Sequence, residues 1–151
     1  MMRRVGDLGF LFTVVAVLEC FYAIAGILIP PGMTLTMTGW VLSGDGQWLA
    51  KILGIALASQ AWVAWTMRKN PHLGVAAALA FYQIGSATAD WVMWLWLADD
   101  GVFSTALGRS GAAISIPLHY TLGFLLVSAT LRARGRSPEE ARVLAGAPHE
   151  A

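Results

Sequence analysis

The chain has 151 residues, of which 57% are hydrophobic and 13% are charged, with a formal net charge of +1. Soluble domains carry about 25% charged and roughly 45–50% apolar residues, so this composition is too apolar for a protein dissolved in water. It excludes a disordered chain, a nucleic-acid-binding protein and a coiled coil, and the length corresponds to roughly one domain. The single cysteine, Cys20, excludes an internal disulfide bond and a multi-cysteine metal cluster.

Four apolar segments approach or exceed the roughly 20 residues needed to cross the hydrocarbon layer of a membrane. In chain order they cover residues 8–29, 48–67, 73–98 and 112–131. Because backbone groups in lipid must form hydrogen bonds within their own segment, each segment is predicted to be a helix. The short connection from Arg68 to Pro71 favours an antiparallel hairpin. The predicted fold is all-α: a four-transmembrane-helix antiparallel bundle over residues 1–131, followed by a mobile arginine-rich tail over 132–151.

The basic residues predict the orientation of these spans. If all four segments cross the membrane, eight of the ten lysines and arginines lie on one side. These eight are Arg3, Arg4, Arg68, Lys69, Arg132, Arg134, Arg136 and Arg142. Only Lys51 and Arg109 lie on the other side. The positive-inside rule then places both termini and the tail in the cytoplasm, in a bacterial inner membrane.

The N-terminal segment admits a second interpretation as a secretory signal peptide. Arg3 and Arg4 precede an apolar run, and residues 23–25 resemble a small-residue cleavage site, which would leave three spans. The apolar run continues past this site to Ile29, which favours a retained helix. N-terminal sequencing of the purified protein distinguishes the two.

The first half of the chain resembles the small DoxX-like four-helix membrane proteins of bacteria. The resemblance rests on residues 26–31, on residues 48–57 and on the closing Arg68-Lys69 pair, with a basic residue, Lys51, three positions before Gly54. Many members have arginine where this chain has Lys51. The resemblance implies a four-helix inner-membrane protein, and some relatives are subunits of quinone-linked oxidoreductases. The predicted four-helix architecture is also similar to that of small four-helix sterol-related membrane proteins.

Three ionisable residues, Glu19, Asp90 and His119, fall deep within the predicted spans. A charge near the bilayer centre costs roughly 2.5–3.5 kcal/mol on insertion scales, so each needs a structural or functional reason. At 1.5 Å per residue, Glu19 lies near the midplane, Asp90 about 6 Å and His119 about 4 Å outward of it. Three different spans therefore place polar groups in one layer, and these three residues are the catalytic candidates.

Helical spacing extends this layer to candidate ligand-binding residues. One turn separates Tyr22 from Glu19, and steps of three and four residues place Gln83, Ser86, Asp90 and Trp94 on one helix face. Gln60 and Gln83 fall at similar depth and can bond to each other, and the long Lys51 side chain can reach Asp90 or the membrane surface. The candidates are Tyr22, Gln60, Gln83, Ser86 and Trp94. No metal site is predicted, because no second histidine lies at ligand spacing, although His119 could ligate a pigment magnesium.

Three interpretations of the polar layer remain open. In the first, the residues form interhelical hydrogen bonds, with Glu19 protonated and Asp90 paired with Lys51 or His119. In the second, they line a pocket for a hydrophobic molecule such as a quinone, a sterol or an isoprenoid. In the third, a protonated carboxyl group acts as a general acid in an isoprenoid or sterol-type isomerase or cyclase, or relays protons in a proton-coupled carrier.

The leading functional hypothesis combines these observations. It is a small inner-membrane protein that either binds a hydrophobic small molecule or acts as an accessory subunit of a larger membrane complex. The expected partners are membrane lipids, a hydrophobic ligand, and either a second copy or a larger assembly, without nucleic acid. No glycine-rich phosphate-binding loop occurs in the sequence, and the identity of any cofactor is left open.

Overall fold

The computed structural model describes residues 7–28, 30, 42–97 and 100–135. These residues form four long helices, α1 (Leu8–Leu28), α2 (Gly44–Met67), α3 (Leu73–Leu97) and α4 (Ala106–Arg134), with a 3-10 turn over Gly101–Ser104. The predicted all-helical fold is confirmed, and α1, α2 and α4 are long and apolar enough to cross a membrane. The first residues of the chain and the predicted tail beyond residue 135 lie outside the described residues.

α3 differs from the other three helices in hydropathy rather than in length. Its 25 residues extend about 37 Å at 1.5 Å per residue, which exceeds the hydrocarbon thickness. Gln83 and Asp90 lower its hydropathy, and so do the indole rings of Trp91, Trp94 and Trp96. α3 is therefore long enough to span a bilayer, although it is not among the three helices that are also apolar enough by their most hydrophobic stretch.

Two helices begin earlier than the apolar pattern predicts, because side chains cap them. The Ser43 hydroxyl accepts from the Gly46 backbone N–H at 3.1 Å, which starts α2 at Gly44. The Thr105 hydroxyl accepts from the Gly108 N–H at 3.0 Å, which starts α4 at Ala106. The first turns of both helices are not strongly apolar, so hydropathy alone places their starts too late.

The four helices pack as two hairpins. Contacts join the start of α1 to the end of α2 and the end of α1 to the start of α2, so these helices run in opposite directions: Gly9 lies beside the Arg68 carbonyl, and Gly26 beside Gly54. α3 and α4 pair in the same way along their length. α1 also contacts α3 and α4, whereas α2 packs chiefly against α1.

The apolar core lies at one end of the bundle. It contains residues from the first half of α1, the end of α2, the first half of α3 and the last half of α4: Leu11, Phe12, Val15, Ala16, Ala64, Ala76, Leu79, Ala80, Leu122, Leu126 and Ala129. Large apolar side chains also cover the outside, with Phe81 81% and Trp96 82% exposed. Proteins dissolved in water rarely expose contiguous apolar surface of this kind, so the exterior of the bundle is suited to contact with lipid.

Candidate functional site

Three buried polar side chains from three helices form a hydrogen-bonded chain next to the core. The Gln83 amide nitrogen on α3 donates to Glu19 Oε1 on α1 at 2.6 Å. Because the nitrogen of that amide faces Glu19, its oxygen faces α4, where it accepts from His119 Nδ1. Glu19 and Gln83 are 0% exposed and His119 is 6% exposed. Gln83 therefore bridges the two ionisable residues, and we call these three residues the polar chain.

Helical spacing explains why the polar chain is buried. Glu19 follows the core residue Val15 by four positions, and Gln83 follows Leu79 by four, so each continues the buried face of its helix. In a membrane the polar ends of such side chains have no water to bond to, and hydrogen bonds between helices satisfy them. The polar chain thus closes the end of the apolar core.

One atom of the polar chain is left unsatisfied. Glu19 Oε2 is buried and has no hydrogen-bond partner among the described residues. A buried polar group without a partner costs about 1–3 kcal/mol, and such atoms are rare in native structures. The second oxygen of Glu19 is therefore the position in this site where a further hydrogen-bonding group would be stabilised most.

Asp90 lies beside the polar chain without joining its hydrogen bonds. The Ser115 hydroxyl on α4 donates to Asp90 Oδ2 at 3.5 Å, and Ser115 is one turn before His119. Ser115 thereby places the Asp90 carboxyl one helical turn from His119 along α4. Asp90 is half-buried, in contrast to Glu19. The three predicted catalytic candidates are thus gathered in one region, with Glu19 linked to His119 by Gln83 and Asp90 next to His119.

Tyr22 covers the imidazole of His119. The two rings are stacked with centroids 6.1 Å apart and planes at 26°. Tyr22 is half-buried, as are the other predicted ligand-binding residues outside the polar chain, namely Gln60, Ser86 and Trp94. The Tyr22 ring therefore lies between the buried His119 and a more accessible part of the bundle.

Gln60 and Trp94, two of the predicted ligand-binding residues, have different neighbours from those that the sequence suggested. The suggested hydrogen bond between Gln60 and Gln83 does not form, because both polar ends of Gln83 face the other members of the polar chain. Trp94 stacks on Phe103 of the 3-10 turn, with centroids 5.6 Å apart and planes at 13°. Trp94 thus packs against the connection between α3 and α4.

Lys51 is held at the carboxyl end of α1. Its ammonium nitrogen donates to the Ile27 carbonyl at 2.6 Å. The last turn of α1 holds no basic residue of its own, so Lys51 supplies from α2 the positive charge that a helix end favours. Lys51 thereby links the two helices of the first hairpin.

Tyr82 is a site residue that the sequence interpretation missed. It is half-buried on α3 and directly precedes Gln83 of the polar chain. The signal was present, because Tyr82, Ser86 and Asp90 follow the four-residue spacing of one helix face. Tyr82 was not chosen because the adjacent Gln83 is the more polar residue.

The chemistry that this arrangement offers is hydrogen bonding at a single orphan oxygen, with a second carboxyl and an imidazole nearby. Within the described ranges, no three histidine, cysteine, aspartate or glutamate side chains are grouped so that they could hold a metal ion. Glu19 Oε2 can accept a hydrogen bond from one further polar group, or donate one when protonated.

The chain was compared with models of protein families, with curated proteins and with solved structures. None of them matches it.

Proposed function

We propose that this chain is a four-span protein of the bacterial inner membrane that binds a hydrophobic small molecule carrying one hydroxyl or carbonyl group. Both termini lie in the cytoplasm in this proposal. The observation that carries the binding function is Glu19 Oε2, which is buried without a partner at the end of the polar chain. The expected ligands are quinones, sterols and isoprenoids, in keeping with the resemblance to DoxX-like proteins.

The packing of α3 supports a fourth span. Contacts between α3 and α4 extend from the level of Gly123, whose backbone lies beside Ile84, to the level of Ser115, which bonds to Asp90. Because α4 is apolar enough to cross a membrane, a helix paired with it over this distance occupies the same layer. The Arg68-Lys69 turn and Arg132 then fall on one side, as the positive-inside rule expects.

The arrangement of Tyr22 and α2 supports a route to Glu19. The Glu19 side chain is fully buried, so a ligand needs a local movement to reach it. Tyr22 lies one turn along the same helix and covers His119, and rotation of its ring would uncover the polar chain. α2 packs chiefly against α1, so the side between α2 and α3 is less closely packed than the hairpins. We place the entry there.

A ligand hydroxyl would satisfy Glu19 in either protonation state. A hydroxyl both donates and accepts a hydrogen bond, whereas a quinone carbonyl only accepts. A carbonyl ligand therefore requires the carboxyl proton on Oε2, and an alcohol does not. Comparing the two ligand types tests the chemistry of the orphan atom directly.

The test is ligand binding by the full-length protein in mild detergent. Organic extracts of the purified protein are analysed by mass spectrometry, and the protein is then titrated with farnesol, cholesterol and decylubiquinone while its thermal unfolding is recorded. We expect one probe to raise the unfolding midpoint, since a ligand that binds only the folded state stabilises it. E19L should abolish the shift, and S59A, on the exposed side of α2, should keep it.

Two results would count against the binding function. One is the lack of a copurifying hydrophobic molecule together with no shift from any of the three probes. The other is an equal shift in the wild type and E19L. Copurification of a partner polypeptide in place of a ligand would support the accessory-subunit role instead.

The orphan oxygen also favours a second candidate, an isomerase that shifts a double bond. Glu19 Oε2 would give its proton to one alkene carbon, and Asp90 would take a proton from the carbon next to the resulting cation, so that composition is unchanged. In that case E19Q would retain ligand binding but lose turnover. Turnover is measured by incubating the protein with isoprenoid alcohols and separating the products by chromatography.

A further inference from the structure

α1 and α2 enclose an apolar groove on the side of the hairpin that faces away from the polar chain. The groove has a volume of about 680 Å³ and is open to the outside of the bundle. Small residues, Ala16 and Ala58, form part of its floor, and large rings form its walls, with Phe21 66% and Trp62 70% exposed. A long flexible hydrocarbon chain fits a groove of this shape and composition.

Arg68 lies at the end of the groove where α1 begins and α2 ends. Trp65 lines the groove, and the Arg68 guanidinium carbon lies 3.6 Å from the centre of the Trp65 ring. One Arg68 nitrogen also donates to the Trp65 carbonyl, so the cation is held in position. A guanidinium has five N–H donors, and over the described part of the chain this is the only hydrogen bond from the Arg68 side chain. An anion beside Arg68 can accept from the other donors of the guanidinium.

We infer that this groove binds one acyl chain of an anionic phospholipid whose phosphate pairs with Arg68. A cation next to an apolar groove matches a molecule that has an anion at one end and hydrocarbon beyond it. Arginine is also the residue best suited to pair with phosphate through two hydrogen bonds. The inference is independent of the proposed function, because it concerns other side chains on another face of α1.

The groove follows α1 from Ala16 to Leu28, and its first part lies within one leaflet of a bilayer. The Arg68 carbonyl lies at the level of Gly9, near the start of α1. From Gly9 to Cys20, which lines the groove, the rise along the helix is about 16 Å. Half of the hydrocarbon core measures about 15 Å. A lipid with its phosphate at Arg68 therefore lays its chain along the part of the groove up to Cys20, within one half of the hydrocarbon core, and the groove continues beyond it to Leu28.

The native chain provides its own probe for the test. Cys20 is the single cysteine, is exposed and lines the groove. The full-length protein, labelled at Cys20 with bimane in detergent micelles, is titrated with phosphatidylglycerol or phosphatidylcholine that carries bromine atoms on the acyl chain, and quenching of bimane is measured. Phosphatidylcholine has the same phosphate, but its choline cation offsets the charge. We therefore expect phosphatidylglycerol to reach half-quenching at about tenfold lower concentration, the effect of one charged hydrogen bond.

The variants separate the phosphate contact from general lipid contact. R68Q should raise the half-quenching concentration of phosphatidylglycerol to that of phosphatidylcholine. K69Q removes the same charge from the neighbouring exposed position and should keep the preference. A58F fills the groove and should reduce quenching by both lipids. Each variant is first checked for an unchanged elution volume and helix content.

Two outcomes would overturn the lipid site. Equal quenching by the two lipids in the wild type, unchanged in R68Q, would mean that the groove contacts lipid without selecting it. Rapid formation of a Cys20–Cys20 disulfide dimer, with weak quenching by either lipid, would mean that a second copy of the chain covers the groove.

Discussion

The Gln83 amide nitrogen lies 2.6 Å from Glu19 Oε1, and both side chains are fully buried. The same amide accepts from His119, so a single residue of α3 holds a residue of α1 and a residue of α4. α1 approaches α3 at few places, and among the described residues this is the side-chain hydrogen bond that joins the two hairpins. The polar chain thus combines a structural role in joining the hairpins with the orphan oxygen that the proposed function uses.

Replacing Gln83 with leucine should therefore destabilise the fold. In Q83L, Glu19 has no partner at either oxygen and His119 Nδ1 loses its acceptor, so we expect a loss of about 1–3 kcal/mol in the free energy of unfolding. The measurement is unfolding of the purified protein in mixed micelles with increasing sodium dodecyl sulfate. Q60L changes the same side chain at a half-buried position of α2 and should change stability by no more than about 0.5 kcal/mol.

The double variant E19L/Q83L checks the cause of that loss. Removing both partners of a buried hydrogen bond is close to neutral, whereas removing one leaves the other unsatisfied. We expect the double variant to be no less stable than Q83L alone. A loss equal to the sum of the two single variants would show that the two side chains act separately.

Gly123 should resist substitution for a geometric reason. A Cβ atom at Gly123 would lie 2.6 Å from Ile84 Cγ1 and 3.3 Å from the Ile84 backbone nitrogen. The isoleucine side chain can turn but the backbone of α3 cannot, so G123A should cost about 1–3 kcal/mol by forcing α3 and α4 apart. G111A in the same helix meets nothing within 4 Å and should stabilise by up to about 1 kcal/mol. Thermal unfolding of both variants in detergent tests this, and equal midpoints would contradict it.

Much of the fold was predictable from hydropathy, because a membrane allows few alternatives to long helices. The predicted segments 8–29 and 73–98 agree closely with α1 and α3. The starts of α2 and α4 were placed too late, since they depend on the Ser43 and Thr105 caps rather than on apolar residues. Helix capping is a local hydrogen-bonding event that a hydropathy profile does not register.

The depth of the candidate site residues in the membrane was predictable from the sequence, and so were some of their contacts. Rise per residue placed Glu19 and His119 in one layer, and helical spacing placed Gln83 on the same face as Asp90. Which of these atoms bond to one another depends on how the helices rotate and approach, and sequence spacing does not determine this. For that reason the Gln60–Gln83 bond was wrong, and the bridging position of Gln83 was not expected.

Lys51 should stabilise the first hairpin through the end of α1. Its ammonium donates to the Ile27 carbonyl at 2.6 Å, a group that the helix itself leaves without a donor. K51M keeps the length of the side chain and removes the donor, so we expect a loss of about 1 kcal/mol. K51R should retain most of the stability, and K69M, at the exposed turn after α2, should have no effect. Unfolding in sodium dodecyl sulfate ranks the three, and K51M behaving like K69M would contradict the role of this contact.

A four-span topology and a three-span topology without α3 place the connection after α3 on different sides of the membrane. If α3 crosses the membrane, reporters fused after residue 70 and after residue 135 lie on the same side, and a reporter fused after residue 100 lies on the other. Because Arg68, Lys69, Arg132 and Arg134 flank the first pair of positions, we expect green fluorescent protein to fluoresce there and alkaline phosphatase to be inactive there. The fusion after residue 100 should show the reverse. If the reporters after residues 70 and 100 lie on one side, α3 does not span.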